Sequence, residues 1–187
     1  MDIFIGSSSE QLPVVKEIIR EIKETTDKYD IRIESWKDWF AHGRFIGWNT
    51  WKIIQEALNT FDIAIMLLAE DDNVQSRGKD YKMTRDNVLL EAGAFAHKCG
   101  MENVILLVPN DSAYKLPTDF LGLNCVVFDY ERGADNTIAY KKIYEKISAF
   151  FEESFSEQNR IISANIKKTN LNYSRHRLVI APTQGKY

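Results

Sequence analysis

The stretch Asp62–Ala69, "DIAIMLLA", decides the fold. After its aspartate every residue is apolar, and the run has the length of a strand. A strand with one wet face alternates apolar and polar residues. One that is apolar at consecutive positions is covered on both faces, as in the middle of a parallel sheet. "NVILLVP" (Asn103–Pro109) reads the same way, and "DIFIG" (Asp2–Gly6) is a strand ending in glycine.

Helical patterns lie between these runs. "SSEQLPVVKEIIREIKE" after the first strand places Leu12, Val15, Ile18, Ile19 and Ile22 at helical spacing. Ser8 with Gln11 fits a capping box, and Pro13 falls in the first turn, where a proline is tolerated. "YDIRIESW" (Tyr29–Trp36) alternates as a strand with a more exposed face. An irregular stretch follows, then "NTWKIIQEALNTF" as a second helix in which Trp51, Ile54 and Ala57 share a core-facing spacing. "EDDNVQSRGKDYKMT" reads as a polar loop and about Asp86 to Lys98 as a helix. "NCVVFDY" is the fifth strand, and "TIAYKKIYEKISAFFEESF" is a closing amphipathic helix with Ile138, Ile143, Ile147, Phe150 and Phe151 near one face. Strand–helix alternation of this kind predicts an α/β fold: a five-stranded parallel sheet in the order 2-1-3-4-5, with helices on both faces. Residues 1–153 form the domain. Residues 154–187 are polar, with a short apolar run at Leu178–Ile180, and read as a tail, linker or extra strand.

Composition narrows the function. A chain of 187 residues that is 44% hydrophobic supports one sizeable core. A formal net charge of −3 gives no electrostatic case for nucleic acid or an anionic membrane. Cys99 and Cys125 lie in apolar stretches and read as thiols of a reducing compartment. "MDIFIGSSSEQ" has neither the basic flank nor the cleavage pattern of a signal peptide, and no run reaches the ~20 apolar residues of a membrane span. A cytoplasmic protein is expected.

In the 2-1-3-4-5 order, ligands bind beyond the carboxyl ends of strands 1 and 3. The turn "GSSSE" (Gly6–Glu10) offers backbone amides for a phosphate and hydroxyls for a ribose, so Gly6, Ser7 and Ser8 are candidates, although a plain capping turn fits too. The other border of the crevice leads into "TRDNVLLEAGAF" (Thr84–Phe95), where one carboxylate, Glu91, interrupts an apolar helix. A helical wheel puts Glu91 at the edge of the face carrying Val88, Ala92, Phe95, Ala96 and Cys99. A solvated rim acid and a ligand-facing acid both fit that place, and nearness to the crevice makes Glu91 a candidate. Asn87, one turn before it, is a neighbour, and Asp86 reads as the helix cap and a second polar group at the mouth. All four tryptophans lie in "WKDWFAHGRFIGWNTW". Trp36, at a strand's carboxyl end, is the candidate wall on which a flat base stacks. Arg77 and Arg85 read first as solvated, but either is placed to meet a diphosphate. Asp71 and Asp72 read as turn residues. His42, His97 and His176 have no partners in sequence, so neither a metal site nor a Ser/His/Asp site is expected.

Together, "FIGSSSE", the tryptophan closing strand 2, "FDIAIMLLAEDD", "SRG", "RDNVLLEAGAF", "NVILLVP" and "KLPTDFLGL" carry a resemblance. Over about residues 1 to 153 the chain resembles the TIR-like nucleotide-binding domain of bacterial antiphage effectors, as found fused to STING or other cyclic-nucleotide sensors. The resemblance implies a flavodoxin-like fold and an NAD⁺ glycohydrolase that releases nicotinamide and ADP-ribose or a cyclic isomer. It implies Glu91 as the catalytic acid; Gly6, Ser7, Ser8, Trp36, Arg77, Asp86 and Asn87, read from their places around the crevice, are the surrounding candidates. NAD⁺ is then substrate and no further cofactor is needed. Side-by-side homo-oligomerisation and a cyclic-nucleotide sensor, as a domain or a separate protein, are the implied partners. Residues 154–187 are too few for such a sensor, so the expectation is an isolated TIR unit or one whose sensor is separate. Two other readings compete: a non-catalytic nucleotide-binding or self-assembly module, and a nucleoside deoxyribosyltransferase-like enzyme, which shares the fold logic and a glycosidic carboxylate.

Overall fold

A computed structural model describes residues 1–25, 30–120 and 124–130, together with single positions between 137 and 156. Seven strands are seen: β1 (Asp2–Gly6), β2 (Arg32–Ser35), β3 (Ile63–Leu67), β4 (Asp72–Ser76), β5 (Lys79–Met83), β6 (Val104–Pro109) and β7 (Asn124–Phe128). Four α-helices lie among them: α1 (Leu12–Thr25), α2 (Trp36–Phe40), α3 (Thr50–Thr60) and α4 (Asp86–Cys99). Five strands form one sheet in the order β2-β1-β3-β6-β7, parallel throughout. This is the expected 2-1-3-4-5 order, with two extra strands inserted outside the sheet.

The central strands form because their apolar residues fill both sides of the pleat. Phe4, Ala64, Met66 and Leu106 belong to one core cluster with Trp39, Phe45, Ile53 and Ala57 from the α2–α3 region and Val88, Ala92 and Phe95 from α4. Phe4 stacks on Phe95 at 4.8 Å between ring centroids and tilts against Phe61 at 5.4 Å. Alternation turns Ile3, Ile5, Ile63, Ile65 and Leu67 to the opposite face, where all are buried, and α1 buries Val15, Ile18 and Ile22. Trp39 is fully buried, and its indole N–H donates to the Ile53 carbonyl at 3.3 Å, so its polar atom is satisfied inside the core.

Four local expectations are corrected. The stretch after β3 is not a loop. β4 and β5 pair antiparallel in a hairpin whose two-residue turn, Arg77 and Gly78, has φ values of 52° and 74°. Two consecutive positive φ angles give the turn whose twist matches the flanking strands. Trp36 does not end β2 but opens α2. The Ser35 hydroxyl caps that helix by accepting from the Asp38 N–H at 3.2 Å. Trp51 is not core: it is 47% exposed, because α3 turns Ile53, Ile54 and Ala57 inward instead. Ser8 makes no capping box, since its hydroxyl is engaged elsewhere and the chain enters α1 through a 3-10 turn at Ser9–Gln11.

The chain divides into two compact units, Met1–Glu145 and Lys146–Tyr187. The sheet and all elements named above lie in the first. In the second, the described positions Ser148, Ala149, Glu152, Glu153, Phe155 and Ser156 are helical. The apolar positions expected to line the closing helix, and Leu178–Ile180, lie outside the described residues. No helix among the described residues is long and apolar enough to cross a membrane. Cys99 and Cys125 are half-buried, and neither forms a disulfide.

Candidate active site

The site is built where β1 and β3 end. β1 stops at Gly6, whose register partner is Met66 on β3. A Cβ at Gly6 would overlap the Met66 thioether methyl and lie 2.7 Å from its sulfur, so glycine is what lets that side chain cross the strand end.

Three hydrogen bonds run sideways from the turn after Gly6. The Ser7 hydroxyl donates to the Ser8 carbonyl at 2.9 Å and accepts from the Trp36 indole N–H at 3.2 Å. Ser7 is buried, and its hydroxyl holds the Trp36 indole. The Ser8 hydroxyl, also buried, donates to Asp71 Oδ1 at 2.8 Å and so ties the β1 turn to the segment leaving β3. Asp71 Oδ2 is buried with no hydrogen-bond partner among the described residues.

The start of α4 is clamped to the same end of the sheet. Thr84 is buried, and its hydroxyl donates to the Ala69 carbonyl at 2.9 Å. That uses its only hydrogen, so the Tyr114 hydroxyl, 2.7 Å away, donates to Thr84. Burial pushes the Tyr114 phenol up to about 12. The residue before the helix is Arg85, not Asp86, and its side chain makes no capping hydrogen bond. Arg85 instead reaches across to Glu10, 3.2 Å from Nη2 to Oε1. Asp86 and Asn87 are exposed in the first turn, where Asp86 Oδ1 accepts from the Asn87 N–H at 2.7 Å.

Further along α4, Val88, Ala92 and Phe95 belong to the core cluster with Phe4, on which Phe95 stacks. Glu91 lies on the same helix between Val88 and Phe95. It is only 9% exposed. No hydrogen bond or ion pair to its carboxylate exists among the described residues, and desolvation alone pushes its pKa up to about 7. The wheel edge is in fact an inward position. A buried acid without a partner is the arrangement stable folding avoids, and it marks functional sites.

Arg77 is not brought to this group. It is exposed at the hairpin tip, five ladder pairs beyond the residues that lead into α4. The basic residue at the mouth is Arg85, whose partner, Glu10, lies 75 residues away in sequence, so no local pattern announced the pair. Thr84, Tyr114 and the orphaned oxygen of Asp71 were likewise invisible in sequence. A separate groove of about 460 Å³, lined by Trp48, Lys52, Glu56, Leu58 and Lys98 among others, involves α3 and the last turn of α4, two turns from Glu91.

The family model for the TIR domain of CAP12/Pycsar effector proteins matches residues 2–130, from β1 through β7 and the whole of this site. The chain belongs to this family. The TIR domain is 32% identical over 145 residues to CD-NTase-associated protein 12 of Sphingobacterium faecium, covering 78% of this chain and 41% of that protein. It is 35% identical over 129 residues to CD-NTase-associated protein 12 of Niabella drilacis, covering 68% and 39%. It is 30% identical over 144 residues to the Pycsar effector protein XpPycTIR of Xanthomonas perforans, covering 71% and 42%. The matched stretch thus spans about two fifths of the length of these curated relatives.

Proposed function

We propose that this TIR domain is an NAD⁺ glycohydrolase with Glu91 as its catalytic carboxylate, acting as an effector of antiphage defence. The observation that supports the reading is a buried acid, without a hydrogen bond or ion pair among the described residues, on the helix whose start meets the turn after β1 through Arg85 and Glu10.

The chemistry fits a single carboxylate. Breaking the bond between ribose C1′ and the nicotinamide nitrogen sends its electron pair to a cationic ring, which leaves neutral and needs no proton. The ribose becomes oxocarbenium-like. An ionised Glu91 beside it stabilises that charge and accepts hydrogen bonds from ribose hydroxyls, in a site where desolvation strengthens the interaction. Water then adds at C1′ and releases a proton, or the adenine adds to give a cyclic isomer. Trp36, fixed by Ser7, is the stacking wall. Gly6 and Ser8 line the turn, and Asp86 and Asn87 line the opposite border.

The names of the relatives associate them with CD-NTases and Pycsar, and we infer a cyclic-nucleotide signal upstream of this domain too, acting through self-association. The test is nicotinamide release by the purified protein at high concentration. Glu91→Gln should lose at least ~100-fold in kcat while keeping its circular dichroism spectrum. Turnover unchanged in that variant sinks the reading.

A further inference from the structure

We infer that Arg85 is the diphosphate-binding residue of the crevice, and that Glu10 occupies it as an intramolecular stand-in which the dinucleotide displaces. The inference rests on the reading of the crevice as a dinucleotide site.

Four observations converge. First, Arg85 holds the residue position before α4, where a capping oxygen is usual, and its side chain makes no capping hydrogen bond. A cation there faces the positive end of the helix dipole, so guanidinium and helix start together favour an anion. Second, an anion is present: Glu10 Oε1, 3.2 Å from Nη2. Its pKa is lowered by its own backbone hydrogen bond first and then by Arg85. Third, that contact uses one N–H of the five a guanidinium carries, and both side chains are open to solvent. A single exposed contact is weak and screened. A diphosphate brings more charge and accepts two parallel N–H bonds from the same fork. Fourth, the pair spans the two borders of the crevice, Glu10 after β1 and Arg85 before α4. Glu91, buried and unpartnered, is on the same helix two turns in. Asp71 and Asp72 also act on Arg85 electrostatically and favour its charged form.

Glu10 is therefore a competitor for substrate. Its removal should tighten binding, whereas a structural ion pair would behave in the opposite way. The experiment titrates ADP-ribose into wild type, Glu10→Gln, Arg85→Gln and Arg85→Lys by calorimetry, with adenosine as the ligand lacking a diphosphate. Glu10→Gln should lower the ADP-ribose Kd about 3- to 10-fold, and Arg85→Gln should raise it about 10-fold or more. Arg85→Lys should fall between, and adenosine should be indifferent to all three. In steady state the same changes should appear in KM for NAD⁺ with kcat little altered. Weaker ADP-ribose binding in Glu10→Gln, wild-type binding in Arg85→Gln, or no ADP-ribose binding by the wild type overturns the inference. The two proposals separate cleanly. The binding shifts without any nicotinamide release would leave this inference standing and sink the hydrolase. Glu91-dependent release with one KM across all variants would sink this inference alone.

Discussion

At the residue scale the decisive side chain is Glu91, and its burial has two measurable consequences. Its carboxyl titrates at about 7 in the fold against an ordinary 4.5. The folded state therefore favours the protonated form. Its contribution to stability is fully present below about pH 4.5 and lost as pH rises through about 7, a penalty on the order of 3 kcal/mol once ionised. Glu91→Gln removes the charge at nearly constant shape. It should raise the melting temperature at pH 8 by roughly 3–10 °C, and the gap should close as pH falls toward 4.5. Thermal melts at pH 8 and pH 5 check this, and an equal gap at both values would mean the carboxyl is not desolvated. The second consequence is kinetic. Stabilising an oxocarbenium ion requires the ionised form, so kcat/KM should rise with pH through an inflection near 7 and then level off. The inflection in kcat should lie lower, because the cationic ring of bound NAD⁺ favours the carboxylate. A flat profile between pH 5.5 and 8.5 would argue against Glu91 as the group that ionises. From sequence, helical periodicity located this acid at the edge of an apolar face. Its burial was not legible, because that depends on how α4 packs against other elements of the fold.

At the element scale, the central strands and longer helices were readable because each buries a periodic apolar set, and β3 is buried at every position. The β4–β5 hairpin was not. Its strands are exposed or half-exposed throughout, so no core imposes an apolar alternation, and its turn places a positive φ on Arg77 rather than on asparagine or aspartate. What holds the hairpin is its second edge. The Lys82 N–H donates to the Ala113 carbonyl at 2.9 Å, and the Lys115 N–H donates to the Lys82 carbonyl at 2.8 Å. Two residues on, Thr84 joins Ala69 and Tyr114, so one junction sets both the hairpin and the start of α4. Thr84→Val removes two hydrogen bonds in a buried place at little change of shape. It should destabilise the fold by about 1–3 kcal/mol, with Tyr114→Phe costing less. Since the two share a bond, the double variant should lose less than the two single losses combined. Urea unfolding of the four-member cycle measures this, and strict additivity would show that the Thr84–Tyr114 contact is not formed in solution.

At the scale of the whole molecule, strand order followed from the alternation of elements, whereas the contacts that make the site join residues far apart in sequence. Ser8 meets Asp71 across 63 residues of chain and Glu10 meets Arg85 across 75. The tryptophan-rich stretch divides along the same line. Trp39 is buried in the core and Trp36 is held by Ser7; beyond them Phe45 is buried again, while two other large apolar side chains are exposed. Ile46 is 86% exposed and Trp51 is 47% exposed, five residues apart around Gly47, whose φ is +81°. Two large apolar side chains exposed so near in sequence are a feature that contact surfaces share. If turnover depends on self-association, as proposed, this stretch is the first candidate for the contact between protomers. Ile46→Asp should then reduce assembly, seen by sedimentation velocity. It should abolish the rise in specific activity with protein concentration while leaving the activity of dilute protein as it was. Because Ile46 supports nothing in the core, its loss should change folding stability by no more than about 0.5 kcal/mol. Concentration-dependent activity that persists in the variant would move the assembly surface elsewhere, and the groove beside Trp48 and Lys98 would be the next to mutate.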